Sequence, residues 1–290
     1  MSTKTQSTTQ SRFESVVDGL TLERVIIHTI LGVSVFVMAF PILIAAVVST
    51  QSVGIVSSFS DLLPGSHLIE NYRTVMVDYN FGIYMVNSFV MSIVIVVGKL
   101  AISLLAALAI VYYRFRFKNL MFMLILFTLM LPVPVRFVPL FNIVTDLGWY
   151  DSMLALTIPY LASATTVFLL RQHFYSIPES IVEQAKLDGI GPLKFLAYVL
   201  IPMSKGMLAG VSVIMFIYAW NQYLWPLVII NSQSQQVTQV GITLLRGDIQ
   251  AGELQWAIVM AGAIITLVPP LLALLLFRKP LLETFGVQQK

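Results

Sequence analysis

Apolar positions in this chain come in long uninterrupted blocks separated by short polar connections, after an opening rich in Ser, Thr and Gln. A helix rises ~1.5 Å per residue, so about 20 apolar residues cross a bilayer core. On that measure residues 24–48, 83–111, 119–138, 153–170, 207–230 and 254–277 each predict a crossing. The expected fold class is an all-α polytopic membrane protein with six transmembrane helices. Pro41 in the first block and Pro269-Pro270 in the sixth predict kinks, which neighbouring helices tolerate by covering the freed carbonyls. Residues 1–15 lack the apolar surface to order themselves and read as a disordered tail, leaving residues 16–290 as the membrane domain. The first block is too long for a secretory signal, and no small-residue cleavage pattern follows it. After that block, Leu62-Leu63-Pro64-Gly65 signals a turn. Residues 66–76 then read either as a short amphipathic surface helix or as a solvated loop.

Only one connection between apolar blocks is both long and structured, at residues 171–205. Pro178 suits the first position of a helix, where its missing N–H has no partner to lose, with Ser176 as a cap. Ile181, Val182 and Ala185 share one face of that helix, and Glu179, Glu183 and Lys186 lie on others. Gly189 stands where the helix ends and the backbone needs a positive φ. Pro192 opens a second short segment in which Leu193, Leu196, Val199 and Leu200 repeat at helical spacing. Two short helices on a membrane face, too short and polar to cross it, suggest a docking element.

Composition changes the picture mainly by exclusion. Apolar residues make up 58 % and charged residues 11 %, well under the roughly 25 % charged share of soluble domains. With no cysteine there is neither a disulfide framework nor a thiolate metal site, and the three histidines are scattered, so no metal or other cofactor is expected. A net charge of +3 forms no nucleic-acid stripe. No Walker A pattern, catalytic triad or paired carboxylates can be read, so catalytic residues are expected to be absent and the chain is not expected to be an enzyme.

The distribution of charge orients the chain. Lys4, Arg12, Arg24, Arg114, Arg116, Lys118, Arg171, Lys186, Lys194, Lys205, Arg278, Lys279 and Lys290 fall on one side of the six-crossing arrangement. The other side holds Arg73 and Arg246 among several Asp and Glu residues. Positive residues stay inside, which puts both termini and the docking loop in the cytoplasm of a multi-pass cell-membrane protein.

Glu183, Ala185, Asp188, Gly189, Phe195 and Pro202 resemble the E-A-A-x-x-D-G loop of ABC importer permeases. Gln184, Ile190 and Gly206 depart from that pattern while keeping helix and turn. The resemblance implies a type I importer permease fold, in which Glu179, Glu183, Ala185, Asp188, Gly189 and Pro202 couple the chain to a separate ATPase. It also implies as partners two copies of an ATP-binding cassette subunit, a second permease forming a heterodimer, an extracytoplasmic substrate-binding protein and the surrounding lipid, with no nucleic acid. Asn87-Ser88, Thr128 to Pro132 with Arg136, and Trp220-Asn221-Gln222-Tyr223 to Pro226 are similar to the sugar and polyol (maltose-type) branch. Within it they look most like the second permease of glycerol-3-phosphate uptake systems. That likeness implies sn-glycerol 3-phosphate or a related phosphodiester as substrate, with an uncharged sugar or oligosaccharide as the alternative.

Asn87, Lys99, Arg136, Trp220, Asn221, Gln222 and Tyr223 are the candidates for the substrate path. A charge inside a bilayer is costly unless it faces a cavity or a partner. Lys99 lies midway along its block, and no block offers an acidic residue to pair with it. It either meets an anionic substrate or binds backbone carbonyls between helices. Arg136 sits between Pro134 and Pro139, where it either forks a phosphate at a water-lined mouth or reaches the outer headgroups. The aromatic stretch from Trp220 offers ring faces to a polyol, or forms an interfacial belt. Two rival classes are a secondary transporter, expected to show ion-coupling carboxylates at mid-membrane, and a membrane enzyme, expected to show a catalytic cluster. Neither feature is present in the apolar blocks.

Overall fold

A computed structural model describes residues 22–52, 63–245 and 255–284, and every regular element among them is helical. The predicted N-terminal tail lies outside the described residues, as do Arg246, Asp248 and Glu253. Three helices are long and apolar enough to cross a membrane unaided: α1 (Leu22–Val48), α3 (Phe81–Tyr112) and α14 (Trp256–Leu276). Pro41 lies within α1, and Pro269 and Pro270 within α14. Between α1 and α3 the chain forms the surface helix α2 (Leu68–Arg73), so the helical reading of residues 66–76 holds. Asn71 fixes it there by donating to the Ser49 and Gln51 carbonyls at 2.9 and 2.8 Å.

The other three predicted crossings are not continuous, and proline is the recurring cause. Residues 119–138 do not form one helix. α4 (Lys118–Phe127) tightens over Thr128–Met130 and stops at an extended Leu131, with φ −75° and ψ 118°. Pro132 forces this, because its ring excludes helical geometry from the residue before it. The chain resumes through Val133–Arg136 into a separate short helix, α5 (Phe137–Asp146).

Residues 153–170 are likewise two pieces. α6 (Met153–Thr157) and its tightened end Ile158–Tyr160 meet α7 (Ala164–Tyr175) at a bend of 41°. Ser163 restarts the helix by accepting from the Thr166 N–H at 3.3 Å.

The segment predicted to dock comprises α8 (Glu179–Leu187), α9 (Pro192–Phe195), a wide turn over Leu196–Leu200, and α10 (Ile201–Met203). The segment Pro192–Met203 then turns by 85° into α11 (Lys205–Trp220). Predicted to run to residue 230, that crossing stops at Trp220 and restarts as α12 (Leu224–Ile229). Pro226 explains the gap, since it cannot donate to the Gln222 carbonyl and its ring would strike it. α13 (Thr238–Leu244) and, after α14, α15 (Arg278–Thr284) complete the order. By length and composition the described residues thus hold three crossing helices, or up to five when each bent pair counts as one, and the predicted block 119–138 falls on the two shorter apolar helices α4 and α5.

Packing organises this bundle by its two ends. At one end Leu104, Ala107 and Leu108 of α3 bury against Leu170 and Phe174 of α7 and against Val182, Ala185, Phe195 and Leu200 of the docking segment. Toward the other end Met91 and Ile95 of α3 pack with Val144, Leu156, Trp225 and Ile229. Phe81 and Tyr84 there meet Leu245, Ile258 and Val259. Helix α1 packs along α14, and Ile30, Leu31, Val35, Val37 and Met38 along its length stay exposed.

Candidate functional site

At the first end, α8, the helix predicted to dock, is buried on one face and open on the other. Val182 and Ala185 are buried in the bundle, whereas Glu179, Glu183, Asp188, Gly189 and Pro202 are exposed. Ala185 therefore seats the helix, and the acidic residues face away from the chain. Gly189 has φ +68°, the left-handed conformation expected of it, and Ile190 N–H returns to the Ala185 carbonyl at 2.9 Å to close the turn. Pro178 precedes the helix as its cap position instead of opening it. Ser176 does not cap α8; its hydroxyl donates to the His173 carbonyl at 2.7 Å and finishes α7.

This element is bolted to the long helices. The Tyr112 hydroxyl, at the end of α3, donates to the Phe174 carbonyl at 2.9 Å, and its ring meets Phe195 edge-on at 5.4 Å. His173 Nε2 and the buried Ser204 hydroxyl lie 3.0 Å apart, joining α7 to the foot of α11. Val182 and Ala185 of α8 thus pack in one cluster with α3 and α7, and α7 is joined to the foot of α11. Leu187, Leu193 and Tyr198 are 83, 66 and 76 % exposed, an apolar surface on a segment otherwise anchored by its opposite face.

Among the described residues one cation is buried, Lys99. Lys99 is 3 % exposed midway along α3, and its Nζ lies 4.4 Å from the centroid of the Tyr218 ring on α11. Among the described residues it has no carboxylate partner. A desolvated cation–π contact is worth about 2 kcal/mol, against an effective penalty of several kcal/mol for burying an ion. The ring therefore offsets only part of the cost. Next to Lys99, Gly98 faces Leu161 so closely that any side chain there would collide with it. That contact sets α3 against the break between α6 and α7.

The other path candidates separate into three groups. Asn87 donates to the Ser234 and Gln236 carbonyls, both at 2.9 Å, and so holds the loop before α13. Trp220 is 1 % exposed and donates to the Thr266 carbonyl at 3.2 Å, packing α11 on α14. Asn221 accepts from Gln239 at 3.1 Å. Tyr223 and Arg136 are exposed. Gln222 differs from all of these, because both atoms of its carboxamide are buried without a hydrogen-bond partner.

Three participants escaped the sequence reading. Tyr218 and Tyr160, the latter with its ring 6.4 Å from that of Trp225, carry no sequence signal beyond being aromatic. Asp151 had one, an Asp in a short link after Gly148, suited to the left-handed backbone it adopts at φ +56°. Its carboxylate accepts from the Asn231 and Ser232 N–H groups at 2.9 and 3.0 Å and from the Ser232 hydroxyl at 3.0 Å. Those backbone donors, Ser232 first, hold the carboxyl below its usual range. No group of three or more His, Asp or Glu side chains that could hold a metal forms among the described residues.

Helices long and apolar enough to cross a membrane, others broken by bends, a buried cation and a helical hook packed at one end describe a polytopic membrane protein. Residues 99–279 match the family described as the binding-protein-dependent transport system inner membrane component, and the chain belongs to that family. It is the non-catalytic permease subunit of an ABC importer, an ATP-driven transporter whose ATPase is a separate chain. It is 41 % identical over 261 residues to the sn-glycerol-3-phosphate transport system permease protein UgpE of Salmonella choleraesuis, covering 87 % of this chain and 92 % of the relative. The protein of that name from Escherichia coli O157:H7 matches to the same extent, at 41 % identity over the same coverage. Among solved structures, a bacterial ABC transporter involved in import of the acidic polysaccharide alginate superposes with a TM-score of 0.78 at 24 % identity. That match covers 89 % of this chain and 96 % of the other, and it supports the fold.

Proposed function

We propose that this chain is one of two permease halves of an importer for sn-glycerol 3-phosphate or a related phosphodiester. The observation that carries the substrate is the 41 % identity, across nearly the whole length of both chains, to permeases named for sn-glycerol-3-phosphate transport. The chemistry of the interior agrees, since an unpaired ammonium suits a phosphate ester better than an uncharged sugar. The second half is a different permease, and the substrate arrives from an extracytoplasmic binding protein. Two copies of an ATP-binding cassette subunit supply energy, one of them receiving α8 through Glu179, Glu183, Asp188, Gly189 and Pro202. Both termini lie in the cytoplasm, on the side of the docking segment, as the Lys and Arg asymmetry requires.

Uptake of labelled sn-glycerol 3-phosphate by cells producing the complete transporter, with and without this chain, tests the reading. Uptake should disappear without the chain and return when it is restored. Unchanged uptake, or restoration of sugar uptake alone, overturns the substrate.

A further inference from the structure

We infer that Lys99, Tyr218, Tyr160 and Arg136 form an anion step inside the permease, a place where the phosphoryl group of a small organic phosphate is held on its way through. The inference rests on the reading of the chain as a permease for a phosphorylated substrate, and names the residues that would meet the charge.

Four features converge. Lys99 is 3 % exposed, yet among the described residues its charge meets the ring of Tyr218 and no carboxylate. A ring face holds an ammonium without neutralising it, so the site keeps a positive charge for an incoming anion. Tyr218 is 48 % exposed, so its other surface is uncovered by this chain. Tyr160 is half-buried, next to Leu161, which packs on Gly98 beside Lys99, and its ring lies 6.4 Å from that of Trp225, which also meets Phe137, the neighbour of Arg136, at 5.9 Å.

Each of the three partners stands beside a helix break. Tyr160 ends the piece before residues 161–163, Tyr218 lies in the last turn before the break after Trp220, and Arg136 closes the turn that follows Pro132. Irregular backbone at membrane depth is tolerated where it lines a polar cavity. Gln222, just beyond Tyr218, adds a carboxamide with both atoms buried and unpartnered. An ammonium, a guanidinium and two phenol hydroxyls supply the donors that phosphate oxygens need, and no carboxylate of the described residues opposes them.

The test uses thiol labelling of the complete transporter in membranes, because the native chain has no cysteine. Tyr218→Cys is reacted with an anionic and with a cationic methanethiosulfonate reagent of similar size. With Lys99 present, the anionic reagent should react faster by about tenfold or more relative to a free thiol in solution, as a positively lined cleft concentrates anions. Lys99→Met should abolish that preference, and Lys99→Arg should keep it. The same pair of rates at Tyr160→Cys guards against failure of one variant to assemble. Equal rates at both positions with Lys99 present, or no reaction at either, overturn the inference. Uptake assays decide the substrate separately. A charge preference that persists where glycerol 3-phosphate uptake is absent would sustain the anion step and refute the substrate.

Discussion

The Tyr112 hydroxyl donates to the Phe174 carbonyl at 2.9 Å, tying the last turn of one long helix to the last turn of another at the docking end. The bond joins α3, which carries Lys99, to α7, on which the docking segment hangs. Tyr112→Phe keeps the ring contacts with Phe174 and Phe195 and removes this bond alone. The expected cost is about 1 kcal/mol, read as a lowered melting temperature of the purified transporter. If the bond also transmits motion, substrate-stimulated ATP hydrolysis should fall further than basal hydrolysis.

Gly189 tests the docking element itself. At φ +68° a β-branched side chain is strained by ~1–2 kcal/mol, although open space surrounds the position. Gly189→Val should therefore misplace α8 through the backbone and not by collision. Transport and substrate-stimulated ATP hydrolysis should fail while the chain still inserts. Normal coupled transport in that variant removes the docking role.

Arg136 supplies the guanidinium of the proposed anion step, on an exposed side chain. A charged hydrogen bond is worth about 1.5–3 kcal/mol, up to roughly a hundredfold in rate at low substrate. Arg136→Gln should cut uptake of the phosphorylated polyol strongly. Arg136→Lys should cut it less, because lysine keeps the charge and loses the fork. ATPase assembly should be unchanged in both. Normal uptake by Arg136→Gln at normal membrane levels would make the residue an interfacial anchor.

Topology is open to a direct measurement. An introduced cysteine at Arg116, in the basic turn after α3, should resist an impermeant thiol reagent in intact cells. One at Gln233, at the opposite end of the bundle, should react. Labelling of the Arg116 position from outside inverts the orientation.

Asp151 predicts a pH response at that opposite end. Donors from Asn231 and Ser232 depress its folded-state pKa below the unfolded value of about 3.9. The stabilisation is thus fully present above that value and is lost as pH falls through the lower, folded pKa. Melting temperature should drop in that acidic window. Asp151→Asn tolerates the left-handed backbone and keeps an acceptor, so it should flatten the acid response while preserving the loop contact. An unchanged acid profile in that variant would show that another carboxyl controls it.

The amino-acid sequence by itself determined that this is a helical membrane protein with a pair of short helices, predicted to dock a partner, between apolar blocks. Long apolar runs have no other stable environment, and a helix turning at Gly189 before Pro192 is specified by backbone sterics alone. Where three of the crossings break was partly legible, since Pro132 and Pro226 were visible, but their effect depends on whether neighbours absorb the freed carbonyls. Pro41, Pro269 and Pro270 lie inside continuous helices, while Pro132 coincides with a stop. Only the tertiary structure decided which polar groups are spoken for. Asn87 and Trp220 looked like Gln222 along the chain, yet the first two hold carbonyls on distant segments and Gln222 does not. Lys99 found a ring on α11, 119 residues away at Tyr218. Such pairings arise from how broken helices stack, a property of the packed bundle that local spacing does not encode.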